Sequence, residues 1–116
     1  MENQTTMRLS LDSMPHLLKQ FPVLNVSVHL SKDYPAWLMN RLHQKISTHV
    51  VTLNAEMAIL AEQDLTLASI VQKADLVIPD GAGVVLYLGI RGQKQKRCAG
   101  IDLADALLRQ ASNLEE

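Results

Sequence analysis

What this chain lacks narrows its class before any motif is considered. Cys98 is the single cysteine, so no intrachain disulfide can form; packing alone must hold the fold, which fits a reducing compartment. Aromatic side chains are limited to Phe21, Tyr34, Trp37 and Tyr87, so the core must be built from Leu, Ile, Val, Ala and Met. Neither sign of charge dominates: Lys and Arg total 11 against 12 Asp and Glu, a net charge of -1, which argues against a nucleic-acid partner. The stretch Met1-Glu-Asn-Gln-Thr-Thr-Met7 has neither the basic nor the apolar region of a signal peptide. No apolar run approaches the roughly 18 residues of a spanning helix. A soluble, cytoplasmic chain is the expectation, with any membrane contact peripheral, at the inner face of the plasma membrane.

Several kinds of site are also missing. There is no Gly-x-Gly-x-x-Gly or Walker sequence, and no short Asp-x-Asp pair of the sort that holds a metal-bound nucleotide sugar. His16, His29, His43 and His49 are scattered without metal-ligand spacing, and Cys98 lacks an evident base partner. No metal or cofactor is expected. The basic run Arg91-Gly-Gln-Lys-Gln-Lys-Arg97 reads as a solvated loop before a phosphate site.

What is present is a chain of 116 residues, nearly half of them apolar, enough for one packed domain. Residues 1–22 read as a variable leader, with one short helix between Pro15 and Pro22 carrying Leu17, Leu18 and Phe21. Residues 23–116 form the domain. Val23 to Leu30 alternates and predicts a strand. Asp33 and Pro35 start a helix whose apolar face is Leu38, Leu42 and Ile46. Thr48-His-Val-Val-Thr-Leu53 predicts a strand covered on both faces, and Asn54 caps a helix over 55–62. Asp64 or Thr66 opens another helix, with Leu67, Ile70, Val71 and Ala74 inward. Asp75 to Pro79 is a buried strand, Gly83 to Ile90 an apolar helix, Arg97–Cys98 a short extended piece, and Leu103 to Ala111 a last helix capped by Asp102. Such alternation specifies an α/β fold, a parallel Rossmann-like sheet flanked by helices. It stops where a second half would begin.

Ligands of open α/β sheets bind beyond the carboxyl ends of the strands. That rule selects Thr52 and Asn54 where one strand runs out, Asp80 and Gly81 where another does, and Arg97 if it ends a fourth. A carboxylate there can act as general base toward a sugar hydroxyl, with Thr and Asn orienting that hydroxyl. Glycine at 81 and 83 keeps the backbone approachable, and the helix that follows aims its amides at the same space, which suits an anionic ligand. Each residue also has a plainer explanation. Asn54, Asp80 and Asp102 are all good helix caps, and Thr52 suits a strand by propensity.

Three segments occur in series: Val50-Val-Thr-Leu-Asn54, Ala74-Asp-Leu-Val-Ile-Pro-Asp-Gly-Ala-Gly-Val-Val85, and Arg97-Cys-Ala-Gly-Ile-Asp-Leu103. Together they resemble the WecG/TagA/CpsF glycosyltransferase family over about residues 23–112. The resemblance implies transfer of N-acetylmannosamine or a related sugar from a UDP donor to N-acetylglucosamine on undecaprenyl diphosphate, with inversion, for teichoic acid or other surface polysaccharide. It implies catalysis without a metal. The family's proposed general base falls on Asp80, its Thr-x-Asn pair on Thr52 and Asn54, and its Arg-x-x-Gly-x-Asp block on Arg97, Gly100 and Asp102. Family members continue past this length with a second α/β segment that supplies much of the UDP pocket and a basic tail that aids membrane docking. The expectation is therefore the acceptor-side half of an enzyme. The alternatives are a catalytically silent unit that binds a sugar or lipid diphosphate, and a generic nucleotide-binding domain. An unfinished sheet edge also makes self-association into a homo-oligomer an expectation.

Overall fold

The computed structural model describes residues 18–95 and 100–114. In order these residues form strand β1 (Lys19–Val23), strand β2 (Val26–Leu30), helix α1 (Tyr34–His43), strand β3 (Val50–Leu53), helix α2 (Ala55–Gln63), helix α3 (Leu65–Lys73), strand β4 (Leu76–Pro79), helix α4 (Ala82–Ile90) and helix α5 (Gly100–Leu114). The α/β class holds, and β3 pairs with β4 in parallel as the alternation requires. The first strands do not follow that pattern, because β1 and β2 pair antiparallel.

This hairpin corrects two expectations. Val23 to Leu30 is two strands joined by a tight turn at Leu24-Asn25, with Leu24 in the left-handed region at φ 56°. The turn carries no glycine, so the apolar pattern runs through it unmarked. Nor does a helix reach Pro22: Lys19 to Pro22 are extended in β1, so the expected boundary after residue 22 falls inside a strand. Proline is tolerated there because, among the described residues, β1 has a strand neighbour on one side only. Residues 1–17 of the expected leader lie outside the described residues.

The strands are sandwiched between two helical layers, and period-two alternation decides which residue goes where. Val26 and Val28 of β2, Leu53 of β3 and Val77 of β4 are buried with Ala58 and Ala61 of α2, Val71 of α3, and Val84 and Leu88 of α4. Leu76 and Ile78 of β4 point the other way, into a second cluster with Tyr34, Trp37 and Leu38 of α1 and Leu103 of α5; Val50 packs against it. Trp37 is buried, yet its Nε1 has no partner among the described residues.

Local chemistry sets the helix starts. Asp33 caps α1, its Oδ1 accepting from Ala36 N at 3.0 Å, with Pro35 in the first turn. Asp64 caps α3 in the same way through Leu67 N at 3.0 Å. Of the expected α1 face only Leu38 is buried. Leu42 is 51% exposed and Ile46, beyond the helix end, 41%. In α3, Ile70 is likewise exposed while Val71 is buried.

Thr48 and His49 precede β3 because side chains hold them. Arg41 Nε donates to Thr48 Oγ1 at 2.9 Å, and Asp75 accepts from His49 N at 2.7 Å. Helix α5 begins at Gly100, so Asp102 sits within its first turn and is not its cap. The extended piece expected at Arg97–Cys98 lies outside the described residues. No helix among the described residues is long and apolar enough to cross a membrane.

Candidate functional site

The site is built where β3 and β4 end together. Their register places Thr52 beside Ile78 and Leu53 beside Pro79. One further bond continues the ladder past the strands: Asp80 N donates to Leu53 O at 2.8 Å. That bond sets the backbones of Asn54 and Asp80 side by side at one carboxyl edge, where the topology rule expects a ligand.

The two polar residues at this edge differ in occupation. Asn54 does cap: its Oδ1 accepts from Met57 N at 2.8 Å and closes the first turn of α2. Its amide nitrogen has no partner among the described residues. Asp80 does not cap. The N-cap of α4 is Gly81, with no side-chain hydrogen bond, and the half-buried Asp80 carboxylate carries no hydrogen bond or ion pair among the described residues. Helix capping therefore accounts for the asparagine and leaves the aspartate unexplained.

Glycine is required at 81 by backbone geometry. Its φ is 89°, and a Cβ built there meets nothing within 4 Å, so space alone does not select it. At Gly83 the reason is packing: a Cβ would stand 3.2 Å from Ala55 Cβ. The N-terminal ends of α2 and α4 thus abut just beyond the strand ends. Their partial positive charges and the uncapped first-turn amides of α4 make this edge favourable for an anion.

Thr52 is half-buried on the α1/α5 side of the sheet, where it lines an apolar groove of about 490 Å³ with Leu42, Ile46, Val50, Leu103 and Leu108. A smaller groove of about 170 Å³ lies between α2 and α4, against Gly83 and Tyr87. Asp80 lines neither. The structure therefore brings Thr52, Asn54, Asp80 and Gly81 to one edge without enclosing them. Asp102 is exposed on α5, the helix flanking the Thr52 side, and Gly100 opens that helix. Arg97 lies outside the described residues.

One residue behind the site escaped sequence reasoning. Leu76 and Asp80 donate their amides toward β3, so Val77 donates toward β2, and Pro79 has no amide to donate. Val77 N is met at 2.9 Å by Nδ1 of the buried His29, while Tyr34 Oη donates to His29 O at 2.6 Å. The ring accepts through Nδ1 only when neutral, and burial pushes its pKa below the usual histidine value, in the direction that keeps it so. Pro79 was the available signal: a proline in a buried strand leaves one lone amide that needs an acceptor.

The chain is similar to known proteins. The model of the WecG/TagA/CpsF family of glycosyl transferases matches residues 21–115. An N-acetylglucosaminyldiphosphoundecaprenol N-acetyl-beta-D-mannosaminyltransferase of Bacillus spizizenii is 37% identical over 71 residues, 60% of this chain and 28% of that protein. A protein of the same name from Bacillus subtilis is 32% identical over 68 residues, 58% of this chain and 27% of its own length. The chain thus spans a little over a quarter of these relatives. With the family match running from β1 through α5, over nearly all the described residues, the chain belongs to the WecG/TagA/CpsF glycosyl transferase family.

Proposed function

We propose that this chain supplies the acceptor-side wall and the general base of an inverting hexosaminyltransferase. The substrates are a UDP-linked N-acetylmannosamine, or a related sugar, and an N-acetylglucosamine carried on undecaprenyl diphosphate. The observation that carries the proposal is the Asp80 carboxylate beside Asn54, without a partner among the described residues, on strand ends tied by the 2.8 Å Asp80–Leu53 bond. The names of the Bacillus relatives supply the acceptor class.

In this mechanism Asp80 takes the proton of the acceptor's 4-hydroxyl as its oxygen attacks the anomeric carbon of the donor. The new glycosidic bond forms on one face while the bond to UDP breaks on the other, so configuration inverts and UDP leaves with the bonding electron pair. Thr52 and the free amide nitrogen of Asn54 orient the hydroxyl. Gly81 keeps the backbone from crowding it. The joined N-termini of α2 and α4 offset diphosphate charge, and Arg97, Gly100 and Asp102 complete the substrate contacts. The step draws on no metal. The setting is surface polysaccharide or teichoic acid synthesis, at the cytoplasmic face of the membrane that holds the lipid.

The test is transfer from UDP-N-acetylmannosamine to a short-chain lipid-diphosphate N-acetylglucosamine. The chain is assayed alone and together with the part of the Bacillus subtilis relative that lies outside the match. Asp80→Asn should lower kcat by about 10²–10⁴ with little change in acceptor binding, the span expected for loss of a general base. Undiminished transfer by that variant would rule out the assignment. A second reading is a silent unit that binds a sugar or lipid diphosphate. Calorimetric binding of the acceptor with no turnover in either arrangement would select it.

A further inference from the structure

Among the described residues the parallel pair has an unpaired edge, and its geometry limits what can pair with it. His49 O and Leu53 O accept from β4, so odd-numbered backbone groups of β3 face β4. By period two, N–H and C=O of Val50 and Thr52 face the opposite edge, where no strand pairs with them among the described residues. An unpaired strand edge presents its N–H and C=O groups to another strand, and a two-stranded sheet is marginal by itself. Here β4 is buried along its whole length, while Val50, Val51 and Thr52 are each half-exposed.

Beside that edge runs the 490 Å³ groove, and its outer lip is the exposed side chains of Leu42, Ile46 and Leu108. Apolar contact alone could be satisfied by many occupants. The open edge is more selective, because amide and carbonyl groups in alternation are matched by another extended backbone and not by a hydrocarbon chain. The Bacillus relatives contain that much additional polypeptide: the matched stretch is only 28% and 27% of their lengths.

We propose that the edge of β3 and the adjoining groove form a docking surface for a β-strand from the part of the enzyme that these relatives carry outside the matched segment. The strand would bond to Val50 and Thr52 and set apolar side chains between Ile46 and Leu108. This inference rests on family membership and the open edge, and not on the role given to Asp80. Docking there would place the incoming polypeptide next to Thr52, at the rim of the candidate site.

The experiment mixes this chain with the remainder of the Bacillus subtilis relative, expressed as a separate polypeptide. It measures affinity together with amide hydrogen exchange at Val50 and Thr52. Complex formation should slow exchange at both amides at least tenfold. Ile46→Glu and Leu108→Glu change exposed side chains, so the fold should survive them, and each should weaken the complex tenfold or more. Leu86→Glu, on the exposed face of α4 in the opposite helical layer, should leave affinity unchanged. No complex, or a complex without protection at the two amides, overturns the proposal. So does protection produced by a symmetric dimer of this chain, or by a polyprenyl phosphate in place of the polypeptide. Because binding is the readout, failure here is distinct from failure of Asp80→Asn to affect transfer.

Discussion

Strands β3 and β4 make an instructive pair. Each has four residues, each is mostly apolar, and they share one ladder, yet every residue of β4 is buried while only Leu53 of β3 is. The difference lies in their neighbours. β4 has β3 on one side and β2 on the other, with the lone Val77 amide closed off by the His29 ring. β3 has β4 on one side and, among the described residues, an open edge on the other. Burial of a strand is thus decided by what lies beside it, and similar sequence composition yields a sealed centre in one strand and a working edge in the other.

The largest effect should come from the sealed strand. Ile78→Ala removes a side chain with no exposed surface and should cost about 2–5 kcal/mol, measured by urea denaturation. The matched change Val50→Ala in β3 should cost only about 1 kcal/mol in the chain alone, because that side chain is half-exposed. Equal losses would break the contrast. Next, His29→Phe keeps a ring at the β2–β4 seam but strands the buried Val77 amide, and should cost about 1–3 kcal/mol.

A slightly smaller loss, about 0.5–2 kcal/mol, should follow Asn54→Ala, which removes the cap of α2 at the open end of β3. The smallest effect is the dependence on pH. The folded chain holds His29 neutral with its pKa below the ordinary histidine value of 6.5, whereas the unfolded chain takes up a proton near that value. Below it the unfolded state binds more protons, so this contribution is complete at higher pH and is lost as pH falls toward the folded pKa. Thermal melts at pH 7.5 and 5.5 should show the lower midpoint at the acid end. His29→Phe should flatten the part of that slope due to this ring.

Legibility in the sequence followed the range of the interaction. Helix starts at Asp33, Asn54 and Asp64 were readable because each cap lies within three residues of the amide it serves. The β3–β4 pair was readable from β-branched and aliphatic runs alternating with helices. The hairpin was not, because Leu24-Asn25 carries no glycine to mark the turn. Exposure of Leu42 and Ile46 was also hidden: helical spacing shows that residues share a face, but not whether anything covers that face. At the site, topology and motif both pointed to Asp80, while its freedom from capping emerged only when Gly81 took the N-cap position.

The sequence alone determined the alternation of strands and helices, the family pattern from Val50 to Val85, and the placing of Thr52, Asn54 and Asp80 at strand ends. These depend on local periodicity and short-range hydrogen bonds, which neighbouring residues settle among themselves. Tertiary structure decided the rest: the antiparallel hairpin, the His29 contact with Val77 across 48 positions, and which of two similar strands is left with an open edge. Those outcomes depend on groups far apart in the chain meeting in space, and desolvating an unpaired backbone amide is costly enough to select among such meetings.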